Sequence, residues 1–131
     1  MKKFLSKFTT LLLVAICSVF AFGCAQKSGD VKFTVDVSKV ESGATVLDYM
    51  NYLQTEGKFT FTFEGGMVKS MNGVSGASNQ YWMLYTDDEN NSDSSFGTIT
   101  VDGKTYSSAS WGAESLPAVD GKTYVWRLCT F

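Results

Sequence analysis

The chain has 131 residues, with 11 Lys and Arg against 13 Asp and Glu, three Cys, one Pro and no His. A formal net charge of −2 leaves no basic footprint for a nucleic-acid partner. The lack of His removes the commonest general base and, with so few Cys, the usual ligands of a zinc or other transition-metal site.

Lys2, Lys3 and Lys7 form a basic start, and residues 11–22 (LLLVAICSVFAF) form a short apolar run. This is the order of a secretory signal peptide, and twelve residues are fewer than a bilayer span needs. The run ends in Ala21-Phe22-Gly23-Cys24, which resembles the lipobox of bacterial lipoproteins. That resemblance implies a signal peptide over 1–23, lipidation of the Cys24 thiol, and anchoring to the outer face of a bacterial membrane. An ordinary secreted protein and a retained N-terminal anchor are the other readings of such a segment. Cleavage before Cys24 leaves 108 residues, enough for one domain with its own core. It also removes three lysines, so eight cations face thirteen anions, a net charge of −5 that speaks against nucleic acid and against a polybasic membrane patch. Cys17 leaves with the signal and Cys24 carries lipid, so Cys129 stands alone and is expected as a buried small hydrophobe. Residues 24–30 are then the lipidated Cys and a polar tether, reaching about 20 Å at ~3.3 Å per residue. The folded domain spans 31–131.

Residues 31–38 (VKFTVDVS) alternate apolar and polar without a break, the period of a half-buried strand. Thr45 and Asp48 then open a helix as cap and third helical residue, and Gly57 stops it. Val46, Leu47, Met50 and Leu53 form its apolar stripe. Residues 58–64 (KFTFTFE) alternate again, with three Phe on one face. Gly65-Gly66 turns the chain into a strand over 67–71, and Asn72-Gly73 is a turn pair. The next strand, 81–87, lies in NQYWMLYT (79–86): Trp82, Leu84 and Thr86 share one face, Tyr81, Met83 and Tyr85 the other. Both faces carry bulk, and periodicity leaves open which is core. Val101-Asp102-Gly103-Lys104-Thr105-Tyr106 recurs letter for letter at 119–124. Each copy reads as an Asp-Gly turn feeding a strand: the first makes a two-residue hairpin after 98–101, the second precedes a final strand at 124–131. Residues 110–117 are expected as a loop. The order β-α-β-β-β with further strands predicts an α+β domain, one helix packed on a mainly antiparallel sheet.

Catalytic groups are sparse. Ser75, in Gly73-Val74-Ser75-Gly76, lacks the final Gly of a nucleophile elbow, and no Gly-rich phosphate loop occurs. The acidic stretch 87–93 sets Asp87, Glu89, Asn91 and Asp93 at alternate positions, as a calcium loop does. Ser92 stands where such a loop needs Gly and Thr98 where it needs Glu, so a solvated loop is the simpler reading and no metal site is expected. Fifteen of the nineteen aromatics follow Cys24. Alternation accounts for Phe33, Phe59, Phe61 and Phe63. Tyr81, Trp82, Tyr85, Trp111 and Trp126 suit either a core or the recognition of a flat, amphipathic ligand.

The succession TVLDYM (45–50), SMNGV (70–74), NQYWMLYT (79–86) and DGKTYVW (120–126) resembles the transcobalamin-like C-terminal domain family over about residues 31–131. That family includes the β-domain of the vertebrate cobalamin carriers and many bacterial lipoproteins. The resemblance implies a small, β-grasp-like α+β fold. It also implies a corrinoid-binding surface built from two segments. One is Ser70, Met71, Asn72, Gly73, Val74 and Ser75; the other is Trp82, Met83, Leu84, Tyr85, Thr86 and Asp87. The carriers close their ligand against a large helical domain that is not among these residues, which implies weaker binding here or a partner protein that completes the site. The expected activity is capture of a corrinoid (cobalamin) or another flat small molecule outside the cell, with no catalysis and no required cofactor. The other reading is a protein- or envelope-interaction module that docks through an aromatic surface.

Overall fold

The computed structural model describes residues 29–131, so the expected signal peptide, Cys24 and the tether up to residue 28 lie outside the described residues. The strands are β1 (Val31–Thr34), β2 (Phe61–Glu64), β3 (Met67–Met71), β4 (Val74–Ser75), β5 (Gln80–Thr86), β6 (Thr98–Val101), β7 (Lys104–Ser108) and β8 (Thr123–Thr130). One α-helix, α1 (Val46–Thr55), follows β1. A five-stranded sheet runs in the order β1-β8-β5-β7-β6 and a three-stranded sheet in the order β2-β3-β4. Every pairing is antiparallel.

This corrects the expected α+β, β-grasp-like arrangement. The domain is strand-rich, 42% strand against 16% helix, and its strands divide between two sheets. The reason lies in residues 58–75. The strands on either side of Gly65-Gly66 pair with each other, and Asn72-Gly73 folds β4 back onto β3, so none of the three joins the main sheet. Phe61, Val68 and Met71 meet Trp82, Leu84 and Trp126 in one core instead. Alternation marks a segment as a strand with a dry face; it does not name the strand's partner.

The helix is set by its ends. The Asp48 amide donates to Thr45 Oγ1 at 3.1 Å and the Thr45 amide to the Asp48 carboxylate at 2.9 Å, the expected capping box. Two further amides at this end, those of Val46 and Leu47, donate to the Leu116 and Ala113 carbonyls at 2.8 and 3.0 Å. The loop 110–117 thus docks on the helix start and satisfies groups that the helix itself cannot. Val46, Tyr49, Met50 and Leu53 are buried against the main sheet.

The middle place of β5 explains its two-faced sequence. Trp82 and Leu84 enter the core under α1, whereas Tyr85 enters a second cluster with Ile99, Tyr106, Val125 and Cys129. The β6–β7 hairpin, turned by Asp102 and Gly103 as its sequence predicts, supplies the cover on that second face. In a flat sheet β1 and β6 would stand four strand spacings apart, about 19 Å. Yet Asp102 at the hairpin tip pairs with Lys32 of β1 at 3.0 Å. The sheet therefore coils until its outermost strands approach each other.

Met50 is fully buried, and its sulfur accepts the indole N–H of Trp126 at 3.3 Å. Met50→Leu preserves volume but strands that buried donor. The expected loss is about 2 kcal/mol in urea unfolding, where most such swaps cost less than about 1.5. Met71→Leu, at an equally buried sulfur with no such donor among the described residues, is expected to cost less.

Candidate functional site

Asn72 and Gly73 have φ values of 51° and 81°, the left-handed pair that a two-residue hairpin between β3 and β4 requires. Asn72 also fastens the hairpin to the approach to β2. Its amide donates to the Thr60 carbonyl at 2.8 Å, and its Oδ1 accepts the Thr60 amide at 3.1 Å. Met71 is fully buried, and the half-buried Ser70 has its hydroxyl 2.8 Å from that of Thr62. Asn72, Gly73, Val74 and Ser75 are exposed. The Val74 carbonyl accepts the indole N–H of Trp82 at 2.9 Å, which ties the short β4 to the central strand. The return from β4 to β5 is close: a Cβ on Gly76 would lie 2.5 Å from the Gln80 carbonyl oxygen, so only glycine fits there.

The second segment is buried along most of its length. Trp82, Leu84, Tyr85 and Thr86 are withdrawn from solvent. The Thr86 hydroxyl donates to the Thr123 carbonyl at 2.8 Å and accepts the Asp88 amide at 3.1 Å. The Tyr85 hydroxyl donates to the Phe96 carbonyl at 3.3 Å and lies 3.8 Å from the Cys129 sulfur. Met83 and Asp87 are half-buried. The two segments thus meet at Trp82 and Val74, but the groups they jointly offer to a ligand are those of the hairpin tip, 72–75.

Asp87 Oδ2 pairs with the Lys104 ammonium at 2.6 Å, and Oδ1 accepts the Thr123 amide at 2.9 Å. Burial pushes the Asp87 carboxyl up, but Lys104, the Thr123 amide and the charge of Lys122 together outweigh it and hold the pKa below the ordinary value. Two further acids of the stretch, Asp88 and Asp93, are directed at its own backbone and amides. Asp88 accepts the Asn90 amide at 3.1 Å and the Asn91 side-chain amide at 2.8 Å, and Asp93 accepts the Ser95 amide at 2.9 Å. Among the described residues no three acidic, thiol or imidazole groups converge as a metal site.

Two surface features escape sequence reasoning. A groove of about 370 Å³ lies beside β1, lined by Asp30, Val31, Lys32 and Phe33, by Lys58, Phe59 and Asn72, and by Leu53 of α1. Its walls come from separate parts of the chain, so no local motif announces it. Elsewhere Tyr81, Phe96 and Phe131 are 42%, 58% and 62% exposed, with ring centroids 6.0 and 6.3 Å apart around Phe131. Of the three, only Tyr81 stands out in the sequence. Trp126 belongs to the core, whereas Trp111 is 60% exposed in the loop that caps α1.

No family model, curated protein or solved structure matches the chain. Among the described residues no helix is long and apolar enough to cross a membrane.

The Asp87 carboxyl titrates lower folded than unfolded, so its stabilising contribution is full above the unfolded pKa and is lost as pH falls through the folded one. Asp87→Asn removes that contribution. The stability gap between wild type and Asp87→Asn in urea unfolding is expected to narrow as pH falls below about 4. A gap that does not change with pH contradicts the ion pair's role.

Proposed function

We propose that the chain is an exported, membrane-anchored lipoprotein of the transcobalamin-like C-terminal domain family, and that it captures a flat, amphipathic small molecule, a corrinoid foremost, without catalysis. One observation carries this reading: the 2.9 Å hydrogen bond from the Trp82 indole to the Val74 carbonyl. It joins the two segments marked by the resemblance into one mechanical unit, in which the buried strand holds and the hairpin tip contacts. The tip has what a corrinoid needs on one side. Val74, 47% exposed, is an apolar contact for the ring face, while the turn backbone and the Ser75 hydroxyl suit its amide-rich rim. A single open contact face implies modest affinity or a partner that closes over the ligand. The anchor rests on the N-terminal pattern ending in Cys24, whose short tether keeps the site near the membrane.

A second reading, a protein- or envelope-interaction module, is favoured by the exposed group of Tyr81, Phe96 and Phe131. Clustered aromatics of this kind serve as anchors at interfaces.

Titration of the purified protein with cobalamin and cobinamide separates the two. Saturable binding of either is expected, weakened about tenfold in Trp82→Phe, which keeps a ring and loses the donor. Absence of binding to both at high micromolar concentration overturns the corrinoid assignment. A protein partner lost on Phe131→Ala, without small-molecule binding, supports the second reading.

A further inference from the structure

β1 is an edge strand of the five-stranded sheet, and its ladder fixes the direction of its backbone groups. The Val35 amide donates to the Lys122 carbonyl, and the Val35 carbonyl accepts the Gly121 amide, both at 2.9 Å. Alternate residues of an antiparallel strand turn their N–H and C=O the same way, so Phe33 and Val31 also face β8. Lys32 and Thr34 therefore turn theirs outward. The Thr34 carbonyl agrees, since it accepts the Tyr49 hydroxyl of α1 at 3.4 Å. The helix covers the edge at Thr34, but beside Lys32 the edge borders the groove of about 370 Å³. An edge of this kind is a template for another strand.

The walls of the groove say which strand. Phe33, Phe59 and Leu53 supply apolar surface on the core side of β1. Lys32, opposite Val125, projects to the other side of the sheet, where its ammonium pairs with the exposed Asp102 at 3.0 Å, a surface ion pair weak enough for an incoming carboxylate to share. Lys58 is exposed and has no carboxylate partner among the described residues. The groove's own acid, Asp30, is engaged by Arg127 through two hydrogen bonds of 2.9 and 2.7 Å. What is left for an incoming chain is apolar surface, outward backbone groups and the positive charge of Lys58, with Lys32 shared with Asp102.

We propose that this groove receives an extended peptide segment of alternating apolar and acidic residues, added to β1 as the sixth strand of the five-stranded sheet. The backbone of the segment pairs with the N–H and C=O of Lys32, its apolar side chains lie over Phe33 and Phe59, and its carboxylates meet Lys58 and compete with Asp102 for Lys32. The partner is an acidic protein segment, and its docking is independent of the corrinoid reading, with which it shares only Asn72.

The test is fluorescence anisotropy on the full-length protein in detergent. Three probes are used: a labelled peptide of alternating Val and Glu, the same peptide with Lys for Glu, and the Val-Glu peptide N-methylated on every second amide, in both registers. The Val-Glu peptide is expected to bind. The Lys peptide and at least one N-methylated register are expected to bind about tenfold more weakly or less. Lys32→Pro removes an outward N–H, a change that edge strands tolerate, and is expected to weaken the Val-Glu peptide about tenfold. Lys58→Glu is expected to shift the preference toward the Lys peptide. Failure of the Val-Glu peptide to bind, equal binding of the Lys peptide, or full binding by both N-methylated registers overturns the proposal. Should Lys32→Pro fail to fold, the N-methylated peptides read the same contact from the ligand's side.

Discussion

Trp82 and Leu84 on one side of β5 and Tyr85 on the other are all withdrawn from water, and a strand that buries both faces must be covered twice. α1 and the three-stranded sheet form one cover. The other is the β6–β7 hairpin, which follows β5 after the acidic stretch and pairs with it through β7, so the sheet must coil for the hairpin to reach the second face. The coil that brings Asp102 to Lys32 is the consequence. Covering both faces also explains how the domain holds together with no disulfide among the described residues. A buried aromatic ring removes about 200 Å² from water, about 5 kcal/mol at ~25 cal/mol per Å², an upper figure that still matches the 2–4 kcal/mol typical of a disulfide.

The same constraint shapes the candidate site. With its indole enclosed beneath the hairpin, Trp82 has one polar atom to satisfy, and the Val74 carbonyl satisfies it. The hairpin is held from the other side by Asn72 on Thr60. Exposed backbone at 72–75 is thus positioned by the buried Trp82 on one side and by Thr60 on the other, an arrangement in which a loop is held by a rigid scaffold. The acidic stretch 87–93 is organised differently. Asp88 and Asp93 cap local turns, and Asp87 ties the start of β8 to Lys104 and so braces the sheet.

Features that depend on neighbours a few residues apart are legible in the sequence. Thr45 and Asp48 announce the capping box, Asp102-Gly103 the hairpin of β6 and β7, and Asn72-Gly73 the turn that exposes the tip. The split into two sheets is not legible, because KFTFTFE dictates a dry face for Phe61 and leaves its partner strand unspecified. The burial of Tyr85 and Thr86 depends on Tyr106, Thr123 and Val125, which lie far along the chain. The groove is less legible still. Lys32, Lys58 and Asn72 meet only after β1, α1 and the β3–β4 turn are in place.

Trp82 as the strut of a ligand-facing hairpin is tested most directly by heteronuclear amide and indole spectra of the isotope-labelled full-length protein during titration with cobinamide. The predicted result is shifts concentrated in the amides of 72–75 and in the Trp82 indole N–H, moving together along one binding curve. Saturating cobinamide that leaves both unmoved, or shifts confined to the surroundings of Tyr81, Phe96 and Phe131, would contradict it.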